Sequence, residues 1–269
     1  MAETVPALRR LDRSAYPELT GYSDEEIWRD NEGPGALYLA ARLSRHMGVK
    51  KGGLVLDLGC GKGESSIFLA RHLSVRVVAV DLWTEATFLA GKFTRRGYGS
   101  RILPLTLDAR RPLPFSKGFF DAVFCMNSLS FFGGDADSLR RLVSHIKPGG
   151  SLVAGGECMS GKFTDEQRRD PPKVYSFAEG VWENGFLKLH SPAWWRELFI
   201  ASEVLDVREC AELDDGVVMH EEMLTAASPR GYLGVSAAQT RELEMRQVLY
   251  GREHDPRMTV FLAAASRKR

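Results

Sequence analysis

Residues 54–70 read LVLDLGCGKGESSIFLA, and every other part of the chain can be placed relative to them. Leu54 to Leu58 form a short apolar run that ends in a turn carrying Gly59, Gly61 and Gly63. Beyond it, Ser65, Ile67, Phe68, Leu69, Ala70 and Leu73 recur with helical spacing. The spacing predicts a strand, a tight glycine turn and a helix. Glycine has no Cβ, so backbone in such a turn can come close to a ligand, and the helix N-terminus directs free amides toward it.

The turn also narrows the ligand. Gly59 and Gly61 begin the G-x-G-x-x-G fingerprint of dinucleotide turns, but that fingerprint needs Gly or Ala at position 64, where this chain has Glu64. A carboxylate at the positive end of the helix is expected to repel a pyrophosphate, which points to a ligand without phosphate and disfavours an NAD-dependent oxidoreductase. The strand VRVVAVD ends at Asp81, 24 residues past Asp57, the separation at which an acid meets ribose hydroxyls. ILPLTLDA is expected to end as a strand at Asp108, followed by Ala109. AVFCM then delivers Asn127 and Ser128 at a strand's carboxyl end, where open α/β sheets bind ligands.

Read as D-x-G-x-G-x-G (Asp57, Gly59, Gly61, Gly63), with Asp81, Asp108-Ala109 and FDAVFCMNSL…IKPGGSLV following in order, residues 33–210 resemble the class I, Rossmann-like S-adenosylmethionine-dependent methyltransferases. The general look is that of bacterial small-molecule members of the ubiquinone-methylase-like group. The resemblance implies an α/β fold: a seven-stranded, mostly parallel sheet with an antiparallel last strand, helices on both faces, an N-terminal helical cover and insertions after strands 5 and 6. It implies S-adenosylmethionine as cofactor and S-adenosylhomocysteine as product. Cofactor contacts would fall on Gly33, Asp57, Gly59, Cys60, Gly61, Asp81, Leu82, Trp83, Asp108, Ala109, Asn127 and Ser128. Leu82 and Trp83 are candidates to sandwich adenine and Asp108 to meet its amino group, while Trp83 is equally readable as helix packing.

The 269 residues are read as one methyltransferase domain: an N-terminal cover over 1–50, a cofactor-binding core over 51–155, a substrate lid over 156–190 and a helical insertion over 212–257. Residues 1–22 show no periodicity and read as a loosely structured arm, and Ser23 with Glu26 forms a capping box before a short helix. Thr84 is the expected N-cap of a helix reaching Arg96, and Ser191 caps another with Pro192 at its first position. The stretch from 159 to 188 is polar, irregular and studded with Phe163, Tyr175, Phe177, Trp182 and Phe186, as a lid or an Ω-loop would be. The insertion reads as two helices that line a pocket or form a homodimer surface.

With 36 basic against 35 acidic residues the chain lacks the basic footprint of a general nucleic-acid binder. No apolar run has the length of a signal peptide or a membrane span, so a cytoplasmic protein is expected. Cys60, Cys125, Cys158 and Cys210 form no C-x-x-C pair, and His220-Glu221 has no metal-ligand spacing; no metal site is expected.

Methyl transfer from a sulfonium is an in-line displacement, so alignment and exclusion of water matter more than a catalytic triad. A base is needed only where the nucleophile arrives protonated, and His190, Glu157 and His220 are the candidates. As a lone histidine, His190 is more often structural. The reaction expected is methylation of a small-molecule acceptor. The alternatives are a methyltransferase acting on RNA or protein, and a non-catalytic protein that holds the cofactor.

Overall fold

Capping chemistry sets where the first helices begin. The Ser23 hydroxyl accepts from the Glu26 amide while the Glu26 carboxylate accepts from the Ser23 amide, and α1 (Asp24–Trp28) starts from that reciprocal pair. Helix α2 (Ala36–Ser44) follows Gly35, and the glycine turn joins β1 (Leu54–Leu58) to α3 (Glu64–His72). Then come β2 (Arg76–Asp81), α4 (Ala86–Arg95), β3 (Ile102–Thr106), β4 (Phe120–Met126), α5 (Ala136–Ser144) and β5 (Ile146–Met159). Helix α6 (Pro192–Ala201), capped by the Ser191 hydroxyl, leads to β6 (Leu205–Glu212). Helices α7 (Gly216–Ala226) and α8 (Ala237–Gly251) form the insertion, and β7 (Met258–Arg267) closes the sheet. The computed structural model describes residues 7–30, 33–161, 164, 166, 189–226 and 237–269.

The sheet runs β3-β2-β1-β4-β5-β7-β6. Its first five strands are parallel, and β7 is antiparallel to both β5 and β6. The strand order therefore reverses between β1 and β4, which places the carboxyl ends of β1, β2 and β4 around one crevice. Strands buried on both faces alternate between two cores. Val55, Val77, Phe124 and Val260 pack under α2 and α3, whereas Leu56, Val78, Val123 and Phe261 pack under α5 and α6.

Three local expectations are corrected. Residues 7–22 are not a loose arm, for Tyr16 and Leu19 are 2% and 0% exposed. Arg9 and Leu11 donate backbone amides to Glu221 and Glu222, and the Arg9 and Arg252 guanidinia close on Glu221. Glu221 is held well below the usual carboxylate range, to about 2, by those hydrogen bonds working against its burial. Helix α4 starts at Ala86 behind Glu85, because the Thr84 amide is held by Asp81 instead. Strand β3 stops at Thr106, so Asp108 lies in the turn beyond it.

The expected lid, 156–190, is described only where β5 ends, at 164 and 166, and just before α6; Phe163, Tyr175, Phe177, Trp182 and Phe186 lie outside the described residues. Among the described residues no helix is long and apolar enough to cross a membrane, and no His, Cys, Asp or Glu cluster could hold a metal ion.

Candidate active site

The crevice is organised by one carboxylate. Asp81 Oδ2 accepts from the Gly61 amide at 2.9 Å, and Oδ1 accepts from the amides of Trp83 and Thr84 at 2.9 and 2.8 Å. Three of roughly four lone-pair positions are thus taken by backbone, which leaves room for about one further donor. The Gly59 and Cys60 amides donate to Val80 O, so the turn is tied to β2 along its length.

The three glycines do different work. A Cβ at Gly59 would lie 2.3 Å from Ser128 Cβ, and one at Gly63 would lie 2.6 Å from the Phe93 ring. At Gly61 a Cβ would meet nothing within 4 Å. Gly59 and Gly63 are needed for packing, whereas Gly61 turns an open backbone face to the crevice.

Asp57, fully buried, accepts from Ser65 and Ser66 hydroxyls at 2.7 and 2.6 Å through Oδ2, while Oδ1 has no partner among the described residues. Burial raises its carboxyl to about 6. Cys60 is buried beside it, its thiol pushed up by burial and by the charges of Asp57 and Asp81. Leu82 and Trp83 are 37% and 75% exposed, and Trp83 meets Phe131 edge to face at 5.7 Å. The Asp108 carboxylate is engaged by the Arg110 guanidinium at 2.9 and 2.8 Å, with Ala109 partly buried between them. Ser128 donates to Leu58 O, a structural bond between β1 and the end of β4. Asn127 stands at φ 54°, its Nδ2 donates to Pro34 O at 3.2 Å, and its Oδ1 is buried without a partner among the described residues. Gly33 docks on the Asn127 side chain, where a Cβ would come within 2.5 Å of Nδ2.

Glu64 does not face the crevice mouth. It is 4% exposed, with Oε1 2.9 Å from Lys92 Nζ and 3.6 Å from Arg96. The expected repulsion of a pyrophosphate is therefore neutralised, and what remains against a dinucleotide is the bulk of Glu64 where the fingerprint wants a small residue. Lys92 also reaches Lys62 O at 2.7 Å and Asp30 at 3.0 Å, fastening the N-terminal cover to the glycine turn. No sequence signal marks that position.

The three candidate bases divide between the faces of the sheet. Glu157, opposite Val260 in the β5/β7 register, and His220 on α7 come together, with His220 Nδ1 3.7 Å from Glu157 Oε1. Burial and the nearby Glu244 charge raise Glu157 to about 7, while burial lowers His220 to about 4. His190 lies on the α6 side, stacked on Trp194 at 3.4 Å beside a groove of about 410 Å³ shared with Arg110, Ser130 and Phe131. The contribution of Glu244 on α8 had no motif to announce it.

Residues 55–150 match the family described as a methyltransferase domain. The chain carries a methyltransferase domain over that span. An O-methyltransferase of Aspergillus sclerotiorum is 24% identical over 52% of the chain and 55% of its own length. A tRNA U34 carboxymethyltransferase of Hydrogenovibrio crunogenus is 32% identical over 52% of the chain and 42% of its own length. The chain spans about half the length of the curated relatives it matches. Among solved structures, a geranyl diphosphate C-methyltransferase from Streptomyces coelicolor A3(2), in complex with S-adenosyl-L-homocysteine, superposes with TM-score 0.65 at 20% identity, covering 97% of this chain and 90% of that chain.

Proposed function

We propose that the chain binds S-adenosylmethionine and catalyses transfer of its methyl group to a small-molecule acceptor, releasing S-adenosylhomocysteine. The observation that carries the reading is the crevice itself. The open face of Gly61, the unpartnered Asp57 Oδ1, the exposed Leu82 and Trp83 and the unpartnered Asn127 Oδ1 all lie at the carboxyl ends of β1, β2 and β4. That set fits the cofactor: apolar surface for a purine, Asp81 and Asp108 for hydroxyl and amino donors, and Asp57 and Asn127 for the methionine ammonium, directly or through water. When bound, the cofactor supplies an electrophilic methyl group whose leaving group is a neutral thioether.

The chain's own residues then have three tasks. Asp81 holds the glycine turn in register, Asn127 and the Gly33–Gly35 turn cover the far end, and Glu157 takes a proton from an acceptor that arrives protonated. Glu157 is favoured over His220 because a carboxyl raised to about 7 exchanges a proton near neutrality, whereas an imidazole lowered to about 4 stays neutral.

A small acceptor is supported by the near-zero net charge and by O-methyltransferases among the relatives. The tRNA-directed relatives favour RNA as the second reading. Incubating the protein with radiolabelled S-adenosylmethionine and a host extract, then separating small molecules, protein and nucleic acid, tests both. Label among small molecules is the expected result. Label in RNA moves the reading to the alternative, and none in any fraction with intact cofactor binding removes the catalytic one.

A further inference from the structure

Next to the end of β5, two hydrogen-bond acceptors face each other. His220 Nε2 lies 3.4 Å from the Thr259 carbonyl oxygen. A carbonyl can only accept, so Nε2 carries the ring proton and Nδ1 of the neutral imidazole is a bare lone pair. The ring is 2% exposed, and its surroundings disfavour a second proton. Nδ1 lies 3.7 Å from Glu157 Oε1, too far for a hydrogen bond, and no donor among the described residues reaches it. Helix α8 carries two further polar groups, of which Glu244 bears on the site. Glu244 places a negative charge near Glu157, and Gln247, three residues on and hence on the same helix face, is 2% exposed with Nε2 unpartnered among the described residues. Arg241, on the same helix, is the cation that bears on Glu244, and it does not reach Glu157.

We propose that this gap binds the protonated amine of the methyl acceptor, with one N–H directed to Glu157 and another to His220 Nδ1. The inference rests on the methyl-transfer reading and narrows it to N-methylation. A hydroxyl or phenol has a single hydrogen and can satisfy only one of the two facing acceptors. An ammonium has at least two, and its charge offsets Glu157 and Glu244, whose burial otherwise opposes ionisation. In the reaction, Glu157 first accepts a proton from the ammonium. The freed nitrogen lone pair then forms the N–C bond as the methyl C–S bond breaks onto sulfur, and Glu157 returns its proton to solvent as the methylated product departs. Glu157 is then a catalytic residue in contact with substrate. His220 orients the amine and takes no proton.

The test reads His220 directly. Protein with ¹⁵N-labelled histidine rings, saturated with S-adenosylhomocysteine, is titrated with benzylamine and with benzyl alcohol at millimolar concentration, and His220 is assigned by its loss in His220→Gln. Benzylamine is expected to shift the His220 Nδ1 resonance and to bind at least tenfold tighter than the alcohol, a preference that Glu157→Gln and Glu244→Gln each diminish. Equal binding of the alcohol, absence of amine binding, or amine binding that leaves Nδ1 unmoved overturns the proposal. Locating the methyl group in the product made from the extract provides the second arm. Methyl on nitrogen supports the assignment, and methyl on oxygen, carbon or sulfur rejects it while leaving methyl transfer intact. Should no transfer occur at all, the methyl-transfer reading fails on its own, and the histidine titration still decides whether an amine site exists.

Discussion

The glycine turn and the β5 end are both polar, yet the turn's carboxylates are engaged largely by the chain's own donors and the facing pair at the β5 end is not. Around the turn the main carboxylate is already spoken for: Asp81 accepts three backbone amides, and the Ser65 and Ser66 hydroxyls occupy one oxygen of Asp57. At the β5 end, Glu157, its side chain 33% exposed, and His220 Nδ1 confront each other with no donor between them among the described residues. A satisfied network holds a fixed shape, and an unsatisfied one is costly until something arrives. The contrast suits a constant cofactor on one side and a proton-bearing acceptor on the other.

The largest effect is expected from Gly59→Ala. The new Cβ would sit 2.3 Å from Ser128 Cβ on backbone with φ 76°, so strain and overlap together should cost on the order of 2–5 kcal/mol. Calorimetry with S-adenosylhomocysteine should show binding lost, and thermal melting a clear drop. Gly61→Ala meets open space and bears only the strain of its φ of 52°, about 1–2 kcal/mol, so it should lose less stability than Gly59→Ala while weakening binding. If the two variants behave alike, the division of labour between packing and ligand approach is broken.

Next in size is Glu157→Gln. Turnover should fall about a hundredfold, the low end for loss of a general base. Activity of the native protein should rise with pH through about 7, and that ascending limb should vanish in the variant. Stability moves the other way. Because the folded-state carboxyl is raised above its ordinary value of 4.5, the native state holds the extra proton between those values, so native stability declines as pH rises from about 4.5 to 7. The glutamine variant should escape that decline and melt higher than the native protein at pH 8. Asp81→Asn is expected to be milder, since its amide oxygen still accepts from Trp83 and Thr84 while its NH2 group opposes the Gly61 amide and the charge is lost. A roughly tenfold loss of cofactor affinity, about 1.4 kcal/mol, is the expected calorimetric result.

The same contrast explains what could be read in advance. The turn is local: Asp57, Gly59, Gly61 and Gly63 lie within seven residues, and their spacing encodes strand, turn and helix. The sheet follows from the alternation of such units, and the insertion reads as two helices, which α7 and α8 are. The β5 end is assembled from Glu157, His220 and Glu244, residues on three elements separated by a described strand, a helix and an insertion, and nothing in the order of the chain says they converge. The loose-arm reading of residues 7–22 failed for the same reason. The segment is tied by Arg9 and Leu11 to Glu221 and Glu222, some two hundred residues away, and Tyr16 packs edge-on against Tyr38. Glu64 shows a third kind of failure: its position was correctly placed at the start of α3, but its partner Lys92 on α4 reversed its electrostatic meaning.

The smallest effect is expected from His190→Ala, and it is the one that most sharpens the comparison. His190 stacks on Trp194 with 9° between the rings, and burial lowers its pKa. A stacked, partly buried ring of this kind contributes about 0.5–1.5 kcal/mol through its aromatic contact, so the variant should lose a few degrees of melting temperature. Turnover should stay within about twofold across pH, because proton transfer in the proposed reaction belongs to Glu157 on the opposite face of the sheet, and a general base would be worth far more than that. A loss of the ascending pH limb in His190→Ala would instead place the acceptor in the groove shared with Arg110 and Phe131. The facing pair at β5 would then be a structural feature of the insertion, with His220 fixed by its burial and its bond to the Thr259 carbonyl and Glu157 turned to solvent rather than waiting for a ligand.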